Sequence, residues 1–337
     1  MMRTAIYMGK QDVRLEERPM PVAGEHDIVV RNLYASICGT DVAVYKDGPE
    51  TGHRITVGSE FGHEMVSEVV QVGQCVRDFK VGDRVYPYPL LAKGDPARAG
   101  TLGGFSEYML LPDVMAGWQV YKVDDRIPTR MAALIEPFTV GCRAARRALP
   151  KKAESALVFG AGTIGLAAAI ALRHFGCRQV LVVDRSALRL EIAETLGFFV
   201  CNSAHEDPGV AATRCFGAAH GLFGQTADVD IYIDAAGADG LLDTFQAMGK
   251  IGSRMVVVAV HGDMQPVDIL SMTYAQQALI GSGGYFPEDV RDVMKIMASG
   301  CWDIERLITH EFPWEQLPVA IEQASRVDEA LNVVIGY

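Results

Sequence analysis

Residues 155–184 read SALVFGAGTIGLAAAIALRHFGCRQVLVVD, and their order is strand, tight turn, helix, strand. Ala156 to Phe159 is a short apolar run of the kind that forms a fully buried strand. Gly160, Ala161, Gly162, Thr163, Ile164 and Gly165 then spell G-x-G-x-x-G. The first glycine permits a sharp turn, and the second leaves nothing to obstruct a pyrophosphate. The third lets the helix lie close to the strand. The helix that opens there offers unpaired N–H groups and a positive dipole end to phosphate. Gln179 to Val183 is a second buried strand, and it ends at Asp184, 19 residues after Gly165. That is where a carboxylate binds a ribose 2′-OH. Glycine patterns alone are common in loops, so it is the ordered context that predicts a dinucleotide site. Asp184 would repel a 2′-phosphate, which favours NAD over NADP. Arg185 follows at once and is the residue that pulls the other way.

The remainder of the chain fits around this unit. Its 337 residues suffice for about two domains. With 49% apolar and 22% charged residues, the composition is that of a globular protein with a sizeable core. A net charge of −11 supplies no basic face for nucleic acid. The start, MMRTAIYMGKQDVRLEERP, is charged throughout and has no apolar leader segment. The longest apolar stretch, around Ile164 to Leu172, has 9 residues and is too short for a bilayer. Seven scattered cysteines point to a reducing cytoplasm rather than a disulfide framework.

Residues 1 to about 110 read as β-rich. Thr4–Tyr7, Asp27–Leu33 and Met65–Val72 are strand candidates, with turn signals at Val22-Ala23-Gly24, Asp47-Gly48-Pro49 and Val81-Gly82-Asp83. Past Asp184, Ala187–Leu196 reads as a helix capped by Gly197. Val229–Asp234, Met255–Val260 and Leu279–Ser282 read as strands. Ala236 and Val260 thus fall at strand C-termini, where open α/β sheets bind ligands. His261 falls there too, and a lone histidine is more often structural. Pro287–Ser299 is an amphipathic helix, and Trp314–Ser325 is another candidate.

Cys38, His63, Glu64 and Glu136 are side chains of the types that bind zinc, and His63 lies 25 residues after Cys38. Taken singly, Cys38 would be a small buried hydrophobe, His63 an ordinary polar residue, and the two acids solvated charges. Their setting is more specific. Cys38-Gly39-Thr40-Asp41, Gly62-His63-Glu64, Gly82-Asp83-Arg84-Val85, Gly103-Gly104-Phe105-Ser106-Glu107-Tyr108, Glu136-Pro137 and the glycine turn with Asp184 occur in that order. In this the chain resembles the zinc-dependent medium-chain dehydrogenase/reductase family, in its alcohol, sorbitol and threonine dehydrogenase branch. The resemblance covers nearly the whole chain.

The resemblance implies an α/β protein: a Rossmann doubly wound parallel sheet domain plus a β-rich GroES-like catalytic domain. The expected boundaries are residues 1–148 for the zinc-binding catalytic domain and 149–284 for the NAD-binding domain, with 285–337 rejoining the first. It implies zinc ligation by Cys38, His63 and Glu64, with Glu136 either a ligand exchanging with water or an acceptor behind the ligands. It places the cofactor on Gly160, Gly162, Thr163, Ile164, Gly165, Asp184, Arg185, Arg189, Ala236 and Val260. Arg189 is equally readable as a solvated helix charge. The implied reaction oxidises a secondary alcohol reversibly to a ketone, through an alkoxide on zinc and hydride transfer to NAD, with Thr40 passing the proton outward. The implied partners are a small-molecule alcohol or ketone and further copies of the chain, as dimer or tetramer.

Three departures from the family pattern stand out. Relatives often carry four close cysteines between the GDRV turn and the GGF segment. The interval here, YPYPLLAKGDPARAGTL (86–102), has none, so one catalytic zinc and no structural zinc are expected. The histidine often found two residues after the first motif is Ala43 here. Ser67 stands where relatives usually have glycine, and reads as a packing variation. The zinc pattern favours a polyol or sugar alcohol. Tyr45, Phe105 and Tyr88-Pro89-Leu90-Leu91 would also suit a bulkier apolar alcohol such as a hydroxysteroid. Rival readings are a zinc-free NADPH-dependent quinone or enoyl reductase, which the Cys and His-Glu motifs disfavour, and a non-enzymatic dinucleotide-binding protein.

Overall fold

A computed structural model describes residues 1–51, 55–93 and 100–337. The chain divides into two compact units. One comprises Met1–Glu136, Met297–Gly300 and Ile304–Tyr337; the other comprises Pro137–Ile296 and Cys301–Asp303.

In the first unit the elements follow as β1 (Met2–Gly9), β2 (Asp12–Arg18), β3 (Ile28–Ser36), α1 (Gly39–Asp47), β4 (Ser59–Glu60) and β5 (Glu64–Val72). Next come β6 (Arg84–Pro87), β7 (Tyr108–Leu111), β8 (Val120–Lys122) and α2 (Thr129–Ala132). Helix α3 (Ile135–Arg147) begins here and continues into the second unit. The second unit holds β9 (Ser155–Phe159), α4 (Thr163–His174), β10 (Gln179–Asp184), α5 (Ala187–Thr195), β11 (Phe199–Asn202) and α6 (Pro208–Phe216). It continues with β12 (Ala218–Gly221), β13 (Gly224–Ala227), β14 (Ile231–Asp234), α7 (Leu241–Met248), β15 (Arg254–Val257), α8 (Ile269–Ala275), β16 (Ala278–Gly281) and α9 (Pro287–Ala298). Strand β17 (Ile308–Pro313), α10 (Leu317–Ala324) and β18 (Asn332–Gly336) complete the first unit.

The second unit is built on a six-stranded sheet of order β11-β10-β9-β14-β15-β16 with every pairing parallel. That is the doubly wound order, and it reverses between β9 and β14. Its central strands are apolar because parallel strands are covered on both faces. Val158, Leu181, Val182 and Ile233 are fully buried. Helix α4 is buried from Gly165 to Leu172, so its alanine-rich sequence is a packing requirement rather than a lipid-facing one. Gly141 carries α3 onto α4, since a Cβ there would stand 2.6 Å from the Ile164 carbonyl oxygen. The compact units change over at Glu136/Pro137.

The first unit has a seven-stranded sheet of order β17-β18-β3-β5-β6-β8, with β7 also on β3, and a three-stranded sheet β2-β1-β4. Strands β17 and β18 run parallel, while β18–β3, β3–β5 and β5–β6 are antiparallel. The core is centred on Tyr7, Val30, Phe61, Met65, Phe105, Trp314 and Ile335. Trp314 is 3% exposed and its Nε1 donates to the Phe105 carbonyl at 2.8 Å. Trp302 stacks on Phe198, with ring centroids 5.5 Å apart. Among the described residues no helix is long and apolar enough to cross a membrane. The fold class is the expected one, while the hairpin β12–β13 and the pair β17–β18 were not foreseen.

Candidate active site

The first site forms where β3 and β5 end side by side, in a register that sets Ser36 opposite Glu64. Beyond β3 the chain turns through Cys38 into α1. Asp41, fully buried in the first turn, accepts the Cys38 N–H at 3.1 Å and so fixes the entry to the helix. Ahead of β5, Gly62 has φ +88, and a Cβ there would meet the Phe105 ring at 2.7 Å. Only glycine fits that turn. The Gly103–Ser106 segment locks it from above, for the Gly104 and Phe105 amides donate to the Gly62 and Phe61 carbonyls at 2.8 and 3.1 Å. Two separate sequence motifs are therefore halves of one clamp on His63.

Within this frame one ligand atom each of Cys38, His63 and Glu64 lies within 4.8 Å of the others. His63 and Glu64 are buried, and Cys38 is half-buried. Ser36 Oγ donates to Glu64 Oε2, leaving the other oxygen to face the cluster. Asn332 Nδ2 donates in turn to Ser36 Oγ at 3.1 Å, from the far end of the chain. Asp41 Oδ1 stands 3.6 Å from His63 Nδ1, the place of a carboxylate that orients a metal-binding imidazole. Glu136 is 6% exposed and near enough for its charge to act on Cys38 and Asp41, but it is outside the three-residue cluster. Arg84 secures the approach to it by donating to the Ile127 carbonyl and Thr129 hydroxyl, both at 2.9 Å.

The electrostatics suit a cation. Burial, then the charges of Glu64, Asp41 and Glu136, push the Cys38 thiol well up, while the neighbouring Thr40 hydroxyl pulls it down. Burial and Glu136 push Asp41 up to about 8, against the Cys38 amide that stabilises its charged form. Glu64 is raised by burial and by Asp41. Burial and crowding favour the neutral forms of the Cys38 thiol and of Asp41 and Glu64, and a bound divalent cation reverses that preference. A soft sulfur, an imidazole and a carboxylate form a zinc-type donor set with room for a fourth ligand. The residues fit the metal.

The second site is the glycine turn. Gly160 has φ +101 and abuts β14's exit, since a Cβ would lie 3.0 Å from the Ala235 carbonyl. A Cβ on Gly165 would stand 1.9 Å from the Gly160 carbonyl oxygen, so helix and strand touch there. Gly162 caps α4 in an extended conformation, and the nearest atom to its would-be Cβ is Arg189 Nη1 at 3.8 Å. Space is thus open in front of the helix N-terminus that Thr163 and Ile164 begin. Asp184 accepts the Ala161 amide at 2.6 Å and those of Arg185 and Ser186 at 2.7 and 2.8 Å. It braces the turn while sitting at the end of β10. Ala236 follows β14 and Val260, 81% exposed, follows β15. The residues fit a dinucleotide, because Gly162 leaves the helix N-terminus open to a phosphate, with Arg189 Nη1 the nearest atom to its would-be Cβ.

Several contributors escaped sequence reasoning. Asp41 stood within a recognised motif without a role. Ser36 and Asn332 gave no local signal. Asp234 Oδ1 accepts the Ala236 and Gly237 amides at 3.1 and 2.9 Å, and its Oδ2 pairs with His261 Nε2 at 2.7 Å. The lone histidine is therefore tied to a strand-end acid. Ser67 is fully buried and donates to Asn32 Oδ1 at 2.7 Å. Asn32 Nδ2 donates to the carbonyls of Gly104 and Ser106 at 3.2 and 2.6 Å. The serine thus supports the clamp and is more than a packing variant.

A parallel sheet with its glycine turn at the strand-order reversal, in one chain with a buried Cys–His–Glu set, is the signature of a metal-dependent dehydrogenase. Residues 24–125 match the Alcohol dehydrogenase GroES-like domain, and residues 163–299 match the Zinc-binding dehydrogenase domain. The chain is 28% identical to the (R,R)-butanediol dehydrogenase of Bacillus subtilis (strain 168), across 94% of each chain. It is also 28% identical to the sorbitol dehydrogenase of Bos taurus, across 95% of this chain and 92% of that one. The crystal structure of 2R,3R-butanediol dehydrogenase from Bacillus subtilis shares the fold, with a TM-score of 0.87 at 24% identity over the whole of both chains. The chain belongs to the zinc-dependent medium-chain dehydrogenase/reductase family, and it is an alcohol oxidoreductase.

Proposed function

We propose that this enzyme interconverts a secondary alcohol of the diol or polyol kind and its ketone, with NAD and one zinc per chain. The observation that carries the reading is the convergence of Cys38, His63 and Glu64 ligand atoms within 4.8 Å. Zinc bound there supplies a Lewis acid that lowers the pKa of a substrate hydroxyl. Cys38, His63 and Glu64 would hold the metal, and Asp41, whose Oδ1 stands 3.6 Å from His63 Nδ1, would orient the imidazole toward it. Glu136, outside that cluster, would either join the ligands or add negative charge behind them. Thr40 Oγ1, beside the Cys38 thiol, would relay the released proton outward, giving up its own hydroxyl proton as it accepts that one, since Ala43 offers no histidine for a relay.

The amides at the start of α4 would hold a dinucleotide's pyrophosphate, an approach that Gly162 leaves open. Asp184, at the end of β10, would offer its carboxylate to the ribose hydroxyls and repel a 2′-phosphate, which favours NAD. Arg185, Arg189, Ala236 and Val260 complete that surface. The unit ending at Glu136 is the catalytic one, and the unit from Pro137 is the cofactor-binding one. The metal-free lobe is a sequence expectation, and its residues 94–99 lie outside the described residues. The enzyme works in the cytoplasm as a homo-oligomer of two or four chains.

Support for a polar substrate comes from the curated relatives, which include butanediol and sorbitol dehydrogenases. It also comes from the fate of the aromatic residues. Phe105 and Tyr88 are 0% and 2% exposed and Tyr45 is 7%, so they belong to the core. They do not offer the wall that a bulky apolar alcohol requires. NAD-linked oxidation of vicinal diols and polyols, with hydroxysteroids turned over at least about tenfold less efficiently, is the expected outcome of a substrate panel. Preference for hydroxysteroids would overturn the substrate reading and leave the zinc site standing.

A further inference from the structure

The β3–β5 pair carries a Cys–His–Glu set at each of its two ends. At the end where Ser36 meets Glu64 lies the site already described. At the other end, where Ile28 pairs with Val72, stand Glu25, His26 and Cys75. One ligand atom from each of these three also lies within 4.8 Å of the others, and all three residues are exposed. Strand β5 spans nine residues, so the two clusters are separated by about 27 Å of strand.

The distal cluster rests on a fixed backbone. The Cys75 amide donates to the Glu25 carbonyl at 2.8 Å, and the Val114 amide to the His26 carbonyl at 3.1 Å. Gly73 brings the loops into contact, for a Cβ there would stand 2.2 Å from the Gly24 carbonyl oxygen and 2.4 Å from that of Glu25. Asp27 ties the neighbouring turns by accepting the Gly24 and Asp113 amides at 2.9 and 3.0 Å. Gln74 Nε2 donates to Glu25 Oε1 at 2.5 Å, which orients that carboxylate and leaves Oε2 for a ligand. The cluster opens on a surface hollow of about 320 Å³ lined partly by Asp78, Asp113 and Arg77.

We propose that Glu25, His26 and Cys75 form a second, solvent-open site for a thiophilic divalent cation such as zinc. Sulfur, imidazole and carboxylate together select zinc-like ions over calcium or magnesium. Three protein ligands leave one position for water from the hollow. Binding releases the Cys75 proton and joins the loop before β3 to the loop after β5. The site is independent of the catalytic metal, because it shares no ligand with it.

Thiol alkylation of the full-length enzyme tests this, with zinc chloride as the probe and peptide mass spectrometry as the readout. Cys301 is exposed as well and serves as the internal control. At a zinc concentration about ten times the dissociation constant, alkylation of Cys75 should slow about tenfold, because only the metal-free fraction reacts. Cys301 should be unaffected, and the protection should vanish in both His26→Gln and Glu25→Gln. Equal Cys75 rates with and without zinc, or protection that survives both substitutions, would overturn the proposal.

Discussion

Gly162 and Gly165 belong to one motif, yet their replacement by alanine should act through different physics. At Gly165 the added methyl would meet the Gly160 carbonyl oxygen at 1.9 Å and the Ala235 methyl at 3.5 Å. The first of these is rigid backbone, so helix α4 must move away from β9 by more than 1 Å to restore ordinary contact. Overpacking of that kind costs about 3 kcal/mol. Alanine's better helix propensity returns about 1 kcal/mol, which leaves a net loss of about 2 kcal/mol. For a unit of this size the unfolding midpoint should fall by roughly 4–8 °C. At Gly162 no atom lies nearer than Arg189 Nη1 at 3.8 Å, and φ is −69. The methyl is accommodated by the protein and instead fills the phosphate's approach. Loss of one charge-assisted hydrogen bond there costs about 2 kcal/mol, or roughly thirtyfold in NADH affinity. Thermal unfolding and NADH fluorescence titration on both variants separate the two effects. Unchanged NADH binding in Gly162→Ala, or an unchanged midpoint in Gly165→Ala, would refute the reasoning.

Three further outcomes are expected. Ser67→Gly removes the donor to Asn32 Oδ1 and should cost about 1–2 kcal/mol in denaturant unfolding, with a lowered kcat because the His63 clamp loosens. Asp289, fully buried, pairs with Arg146 at 2.6 Å and accepts the Phe286 amide at 2.9 Å, so Asp289→Ala should destabilise by about 3 kcal/mol while leaving zinc content intact. Burial pushes the Glu154 carboxyl up, but Arg254 at 2.5 Å and the Lys151 amide outweigh it and hold the group below its usual value of 4.5. Its stabilisation is therefore present above pH 4.5 and lost as the pH falls through the depressed folded value. Glu154→Gln should flatten that part of the acid-unfolding curve by about 2 kcal/mol.

The parts legible from sequence were those in which neighbouring residues carry the whole constraint. The β9-turn-α4 unit announces itself because buried parallel strands are continuously apolar and the turn tolerates only glycine. The ends of β10 and α9 were equally local, the one marked by Asp184 and the other by Pro287. What stayed hidden depends on partners remote in sequence. Asn332 supports Ser36 across 296 positions, and no periodicity near either residue reports it. Ser67 resembled a neutral variant until its bond to Asn32 joined it to the Gly103–Ser106 segment. Glu25, His26 and Cys75 give no spacing signal, because a strand pairing and one glycine contact bring them together.

The central claim is that Cys38, His63 and Glu64 hold the metal on which alcohol oxidation depends. The most direct measurement compares zinc content and NAD-linked turnover in the native enzyme and in Cys38→Ser, each dialysed without chelator. The account predicts about one zinc per chain fewer in the variant, turnover lowered by at least about a thousandfold, and NADH binding retained. Equal zinc content with undiminished turnover in Cys38→Ser would contradict it.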